Sequence, residues 1–267
     1  MKTALTIGGS DSSGGAGIQA DLKAFTVLGV YGMTAITAVT AQSTMGIAES
    51  FEMTPELVAR QIDAVAGDIQ VDACKTGMLA NAAIIGAVEE ALKRNQLQPY
   101  VCDPVMVSKS GARGGRLLKA DALPALKKLF ARATVITPNL RETAELTGQA
   151  EIAPTIAAAK DAARRLADMG AKAVIVKGIP SGNQMVDVYF DGREFLEFAG
   201  VMQPNEKTHG SGCAFSAAIT AGLANRLKLV DAIDQAKQLV TMAIQFGDGQ
   251  GRGITPVNVL AFAPKKK

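Results

Sequence analysis

Thr208-His209-Gly210-Ser211-Gly212-Cys213 runs directly into Ala214-Phe215-Ser216-Ala217-Ala218-Ile219. This sets a glycine-rich turn and a thiol at the mouth of an Ala-rich helix. A turn without bulky side chains lets anion oxygens reach unpaired backbone N–H groups, and the helix dipole adds partial positive charge at the same place. Cys213 would then stand beside the anion, close to whatever attacks it. The same letters also spell an ordinary turn before a buried helix with a small core cysteine. The rest of the chain must separate the two readings.

Upstream of this stretch, short apolar runs alternate with amphipathic helical patterns. That is the signature of an α/β fold whose mostly parallel sheet is covered on both faces. Ala4–Gly8, Thr34–Val39, Asp72–Thr76, Tyr100–Asp103, Thr134–Thr137 and Ala173–Lys177 read as strands. Gly15–Leu28, Pro55–Asp68, Asn81–Asn95, Asp121–Phe130 and Thr155–Met169 read as helices. Thr54 and Asn81 stand where an N-cap oxygen is needed, and Gly170 can close the Thr155 helix in the left-handed conformation. After Lys177 the pattern changes: Met185–Phe190 and Glu194–Phe198 alternate around Asp191-Gly192, which predicts a small antiparallel portion in the C-terminal half. Ser211–Asn225 and Val230–Phe246 close the chain as two helices. No linker, repeat or low-complexity segment intervenes, so residues 1–267 read as one domain. Lys109–Arg116, with three glycines between strand and helix, reads as a mobile flap.

The 267 residues are 48% hydrophobic, enough for a substantial core. Lys+Arg 28 against Asp+Glu 25 leaves a net charge of +3, with 4% aromatic residues and no Trp, which argues against a nucleic-acid surface. The Lys265-Lys266-Lys267 run reads as a solvated tail. Cys74, Cys102 and Cys213 are far apart, without CxxC spacing, and His209 is the single histidine. Neither a disulfide framework nor a zinc site is supported, and a reducing cytoplasm fits. The apolar start before Gly8-Gly9-Ser10-Asp11 is too brief for a secretory leader. No segment approaches the roughly 18 apolar residues of a membrane span.

Gly8-Gly9-Ser10-Asp11-Ser12-Ser13-Gly14-Gly15-Ala16-Gly17 joins the first strand to the first helix. Its spacing is not GxGxxG, no acidic residue is placed for a ribose, and it lacks the Lys-Ser/Thr of a Walker loop. It reads as a turn that brings backbone close to a small ligand, or as a plain loop. Asp103-Pro104-Val105-Met106 and Thr137-Pro138-Asn139-Leu140-Arg141-Glu142 end two strands at the carboxyl edge, where open α/β sheets bind ligands. Asn139 and Glu142 fall on one face of a helical first turn. Their hard oxygens suit magnesium, and the same pair equally suits a helix cap with its capping-box partner. Lys177, at the end of Val174-Ile175-Val176, is an odd place to bury an ammonium unless a phosphate satisfies it.

Taken together, these segments resemble hydroxymethylpyrimidine/phosphohydroxymethylpyrimidine kinases, bifunctional thiamine-pathway enzymes of the ribokinase-like superfamily. The resemblance runs from residue 3 to about 260. It is carried by the Gly8–Gly17 loop continuing into Ile18-Gln19-Ala20-Asp21, Ala38-Val39-Thr40-Ala41-Gln42, Lys75-Thr76-Gly77-Met78-Leu79, Asp103-Pro104-Val105-Met106, Thr137-Pro138-Asn139-Leu140 with Glu142, and Thr208–Cys213. It implies a ribokinase-like fold with no separate lid domain. It also implies that Asp21, Gln42, Met78 and Val105 line a pyrimidine pocket, that Asn139, Glu142, Lys177 and Thr208 serve ATP and Mg2+, and that Gly210, Ser211 and Gly212 form the anion hole. Cys213 matches the position where sugar kinases of the superfamily carry an aspartate base. Two departures stand out. The lysine continues as Lys177-Gly178-Ile179-Pro180 rather than Lys-Gly-Gly, and Gly251-Arg252-Gly253-Ile254-Thr255-Pro256 lacks the usual histidine.

The expected activity is ATP-dependent phosphorylation of 4-amino-5-hydroxymethyl-2-methylpyrimidine and then of its monophosphate, by a cytoplasmic homodimer with neither nucleic-acid nor membrane partners. The alternatives are a pyridoxal/pyridoxine kinase on the same scaffold and a catalytically silent pyrimidine- or nucleotide-binding protein. Gln42 favours the pyrimidine, because its amide offers an acceptor and a donor to an exocyclic amine beside a ring nitrogen. A thiol at a helix N-terminus is expected to have its thiolate favoured by the dipole, which would fit Cys213 to take the proton from the substrate hydroxyl.

Overall fold

A computed structural model describes residues 1–107, 115–203 and 208–263. The described residues build a nine-stranded sheet of order β3-β2-β1-β4-β5-β6-β7-β8-β9. Its strands are β1 (Lys2–Asp11), β2 (Val30–Ser43), β3 (Gly46–Glu52), β4 (Ala73–Thr76), β5 (Tyr100–Cys102), β6 (Val135–Ile136), β7 (Val174–Ser181), β8 (Gln184–Phe190) and β9 (Phe195–Val201). The run from β2 to β7 is parallel, and β8 and β9 add antiparallel to β7. The fold class is therefore as the sequence pattern implies.

One strand escapes that pattern. β3 pairs antiparallel with the end of β2 at the far edge of the sheet, so the antiparallel part is not confined to the C-terminal half. Gly46-Ile47-Ala48-Glu49-Ser50-Phe51-Glu52 is mostly exposed and has no apolar face to bury. Such an edge strand carries little periodic signal. The hairpin between β8 and β9 is longer than the expected two residues, spanning 191–194. Asp191 Oδ1 accepts from the Arg193 and Glu194 N–H groups at 2.9 Å, and Gly192 takes φ +88°.

The helices are α1 (Gly17–Val27), α2 (Pro55–Asp68), α3 (Ala82–Arg94), α4 (Leu123–Phe130), α5 (Leu140–Thr147), α6 (Ile156–Asp168), α7 (Ser211–Ala224) and α8 (Leu229–Gln245). Their starts follow the local chemistry. Thr54, Asn81 and Thr155 each accept a hydrogen bond from the N–H three residues on, and Gly170 follows α6 with φ +105°.

Strand alternation then distributes the core. Ala4, Ala73, Val101 and Ile175 face α1, α7 and α8, whereas Leu5, Cys74, Cys102, Val174 and Val176 face α2 through α6. α7 is apolar nearly all round and buried along most of its length, which fits a central helix rather than a surface one.

Because β1 lies between β2 and β4, the chain leaves its neighbours in different directions and opens a crevice at the carboxyl ends of the strands. The flap expected over Lys109–Arg116 lies, through residue 114, outside the described residues, as does Lys265-Lys266-Lys267. Among the described residues no helix is long and apolar enough to cross a membrane.

Candidate active site

The crevice holds a cavity of about 390 Å³. Asp21, Gln42, Met78, Val105, Asn139, Glu142, Lys177, Thr208, Gly210, Ser211, Gly212 and Cys213 all line it. Residues from nearly the whole length of the chain are thus brought to one place by the carboxyl ends of β1, β2, β4, β5, β6 and β7.

Two glycine turns interlock at its mouth. Gly210 precedes α7 with φ +79°, and a Cβ there would run into the Gly15 carbonyl oxygen. A side chain on Gly15 would in turn strike the His209 ring. The bare backbone leaves the N–H groups of Gly212 and Cys213 in a first turn without intrahelical acceptors, the arrangement an anion needs. Asp11 ties the two turns together. One of its carboxylate oxygens accepts from Ser13 N (2.8 Å) and Ser13 Oγ (2.7 Å), and the other accepts from Ala16 N (2.8 Å) and pairs with His209 Nε2 at 3.0 Å. Burial pushes the Asp11 carboxyl up, but the His209, Ser13 and Ala16 bonds outweigh it and hold it below the ordinary aspartate value.

Lys177 reaches the same turn from β7. Its Nζ donates to Asp103 Oδ1 at 3.1 Å and lies 3.5 Å from where a Cβ on Gly212 would stand. Asp103 also accepts from Thr137 Oγ1 (2.9 Å) and Ser216 Oγ (3.0 Å), so α7, β7 and the end of β6 converge on one carboxylate. Burial opposes the Lys177 charge, but Asp103 and Glu142 more than offset it and raise its pKa above the ordinary lysine value. The departure at Gly178-Ile179 is absorbed locally: β7 bulges between Val176 and Ile179, Gly178 takes φ +81°, and its N–H donates to Asp187 Oδ1 at 2.8 Å. Lys237 of α8 holds the other Asp187 oxygen at 2.8 Å. At the chain's far end, Gly251 and Gly253 close against Thr44, whose hydroxyl accepts from Gly253 N at 3.1 Å.

Asn139 and Glu142 form a complete capping box. Asn139 Oδ1 accepts from Glu142 N and Glu142 Oε2 accepts from Asn139 N, both at 2.9 Å. Helix capping is therefore the first task of both. Among the described residues no group of three or more His, Cys, Asp or Glu side chains could hold a metal. Two hard-oxygen side chains at the cavity wall suit a magnesium ion that keeps waters and takes most of its ligands from nucleotide phosphates. They do not suit a cation caged by protein alone.

Gln42, Met78 and Val105 also line the cavity. Gln42 is held to the Gly8–Gly17 loop by its backbone: its N–H donates to Ser12 Oγ and its carbonyl accepts from Ser12 Oγ, both at 2.8 Å. Its side-chain Oε1 accepts from Thr40 Oγ1 at 3.1 Å. Met78 packs its sulfur against Gly9, where a Cβ would come within 2.8 Å of it.

Asp21 does not stand alone in the cavity wall. Its oxygens accept from Thr6 Oγ1 (2.6 Å) and Lys75 Nζ (2.8 Å), all three groups being buried. Burial pushes the Asp21 carboxyl up, and Lys75 and Thr6 only partly offset it. Burial also works against the Lys75 charge, but Asp21 first, then Cys213 and Asp103, outweigh it and hold the ammonium above the ordinary lysine value.

Cys213 corrects an expectation. Burial pushes its thiol up to about 12, a larger effect than the pull of Lys75 and of the Gly17 N–H that bonds to the sulfur. The helix N-terminus does not by itself make this thiol a thiolate. Cys74 and Cys102 are fully buried, and burial raises both thiols as well.

Sequence reading passed over Asp11, Lys75, Asp103, His209, Asp187 and Lys237 as functional residues. The signal for Lys75 was present, since it is the charged residue of the short strand Ala73-Cys74-Lys75-Thr76 and the argument made for Lys177 applies to it. The others depend on partners far away in the chain.

Residues 11–258 match the family described as phosphomethylpyrimidine kinase. The chain is 43% identical over 265 residues to the hydroxymethylpyrimidine/phosphomethylpyrimidine kinase of Bacillus subtilis, covering 97% of this chain and 95% of that one. It is 44% identical over 262 residues to the thiamine biosynthesis bifunctional protein ThiED of Geobacter sulfurreducens, where it spans 97% of its own length and about half, 52%, of that protein. Its structure superposes on that of Bacillus subtilis pyridoxal kinase, solved as an ADP complex, with a TM-score of 0.89, 39% identity and 98% of each chain covered.

Proposed function

The chain belongs to the phosphomethylpyrimidine kinase family and is a phosphotransferase, and from that premise we propose that it phosphorylates 4-amino-5-hydroxymethyl-2-methylpyrimidine with ATP and then phosphorylates the monophosphate to the pyrophosphate. The observation that carries this reading is the meeting, in one cavity, of the Gln42 amide with Lys177 and the Gly210–Cys213 turn. Gln42 would hold the aminopyrimidine edge, with Met78 and Val105 against the ring. One kinase domain would carry both transfers.

In the first transfer Cys213, its thiol proton already lost to solvent, takes the hydroxymethyl proton on its sulfur, the oxygen bonds to the γ-phosphorus, and the β,γ-bridging oxygen leaves with ADP. In the second, the attacking oxygen belongs to a phosphate that is already largely ionised, so little is asked of the thiol. Lys177 and the amides of Gly212 and Cys213 would neutralise the charge on the transferring group. Asn139 and Glu142 would hold magnesium together with ATP, and Thr208 would line the nucleotide side. Magnesium, when bound, would supply charge neutralisation on the β- and γ-phosphates. The lysine would be kept in place by Asp103, which Thr137 and Ser216 fix in turn.

The likeness to a pyridoxal kinase favours a second reading, pyridoxal as the acceptor on the same site. ADP release by the purified protein with ATP and magnesium, offered aminopyrimidine or pyridoxal, separates the two. A kcat/KM higher for pyridoxal would overturn the pyrimidine assignment.

We also place the protein in the cytoplasm, in keeping with three free cysteines. We read it as a homodimer, supported by the exposed cross-strand pair Val39 and Phe51 at the β3 edge. Sedimentation of Phe51→Glu beside the unaltered protein tests the dimer.

A further inference from the structure

Lys75 has no part in the chemistry described so far, yet with Asp21 it lines the cavity that Cys213 also lines. Its placement follows from α1. The Gly17 N–H at the start of that helix bonds to the Cys213 sulfur, and Asp21, one turn further along the same face, grips Lys75 Nζ at 2.8 Å. β4 presents Lys75 from below, completely buried, and a Cβ on Gly77 would stand 3.8 Å from its Nζ. Of the three N–H donors of the ammonium, Asp21 takes one, and it is the hydrogen-bond partner found for Lys75 among the described residues. Burying a lysine this way is costly unless its charge is used.

We propose that Lys75 is a positioning residue for Cys213: clamped by Asp21, its ammonium supplies the fixed positive charge that favours the thiolate left when the Cys213 thiol loses its proton to solvent, and that thiolate then takes the proton of the substrate hydroxyl. The charged groups that act most on the sulfur are Lys75 from β4, Asp21 from α1 and Asp103 from the end of β5. Two of the three are acids that oppose a thiolate. Lys75 is the one of them that favours it. The S–H bond is broken when solvent takes the thiol proton and made again as the substrate O–H bond breaks, and Lys75 keeps its own protons throughout. This inference rests on the proposed role of Cys213 in the first transfer.

The test reads the sulfur directly, without turnover. The full-length protein is alkylated with iodoacetamide across pH 7 to 11, and the Cys213 peptide is followed by mass spectrometry. The buried Cys74 and Cys102 report any loosening of the fold. Lys75→Met should move the Cys213 profile to higher pH and slow alkylation at a fixed pH by about tenfold or more. Lys75→Arg, which keeps the charge, should stay within about threefold of the unaltered protein. Asp21→Asn, which removes an opposing acid, should move the profile to lower pH. A mere structural role would expose the thiol in both Lys75→Met and Asp21→Asn and speed alkylation in both. A Lys75→Met profile that is unchanged or shifted to lower pH therefore overturns the proposal. If Cys74 and Cys102 become labelled in Lys75→Met, Asp21→Asn decides, and a profile not shifted to lower pH overturns it. An altered substrate assignment would leave these alkylation results untouched, so the two readings fail separately.

Discussion

Two buried lysine–aspartate pairs reach the α7 turn, Lys177–Asp103 from β7 and Lys75–Asp21 from β4, and they differ in how the aspartate is otherwise held. Asp103 has the hydroxyls of Thr137 and Ser216 as well as its lysine. Among the described residues Asp21 has Thr6 alone besides Lys75. The Lys177 side chain keeps 12% of its surface exposed at the cavity mouth, and that of Lys75 keeps 1%. A carboxylate satisfied by neighbouring hydroxyls can release its lysine to a phosphate. A carboxylate that leans on its lysine cannot, and the charge stays where it is. The same pair of residue types thus gives one cation that can engage a ligand and one fixed in the fold.

The strongest way to break this comparison is Lys177→Ala. Because Asp103 keeps two hydroxyl donors, the variant should stay folded, while kcat in both phosphorylation steps falls by about 100- to 1000-fold, the range of other removed transition-state donors. Aminopyrimidine binding measured without nucleotide should change little. Weak pyrimidine binding with normal turnover would reverse the assignment.

Cys213→Ala sharpens it further, since the two transfers ask different things of the sulfur. The first, on the alcohol, should slow by roughly 100-fold, and the second, on the monophosphate, far less. Single-turnover rates on the two substrates decide it, and equal losses would reduce Cys213 to a shaping role in the anion hole.

Gln42→Met bears on the acceptor rather than on the transferring phosphoryl group. It should lower aminopyrimidine kcat/KM by about tenfold, because a substrate amine would lose its partner on binding. An unchanged value would remove Gln42 from the pocket.

The smallest expected effect concerns Asp11, which joins the two glycine turns. Its folded-state pKa lies below the ordinary aspartate value, so the carboxylate stabilises the protein above the unfolded pKa, and that contribution is lost as pH falls through the folded one. Asp11→Asn should cost about 1–2 kcal/mol at neutral pH, and its Tm should converge on that of the unaltered protein as the pH drops below 3.8. A Tm gap independent of pH would place the effect in shape rather than charge.

Much of this site was legible before any coordinates, because its candidate residues sit where strands end, and strand ends are marked locally. Lys177 closes an apolar run, Asn139 and Glu142 hold the spacing of a first turn, and Gly210 precedes an Ala-rich helix. The capping box shows the limit of such marks. Three-residue spacing serves a cap and a metal equally, and the reciprocal bonds at 2.9 Å establish that the cap is made. Residue order also misjudged Cys213. A helix N-terminus predicts an acidic thiol, yet the depth of burial, which no local pattern reports, outweighs it.

The sequence by itself determined the α/β alternation, the helix starts at Thr54, Asn81 and Thr155, and the glycine turns, because each follows from periodicity or from a side chain reaching a backbone group three residues away. Only the tertiary structure decided which charges meet. His209 and Asp11 are 198 residues apart, Ser216 and Asp103 113, and Lys75 and Asp21 54. Such pairings are fixed when helices and strands pack into one sheet and leave buried charges to find the nearest opposite partner, and no spacing along the chain encodes that distance.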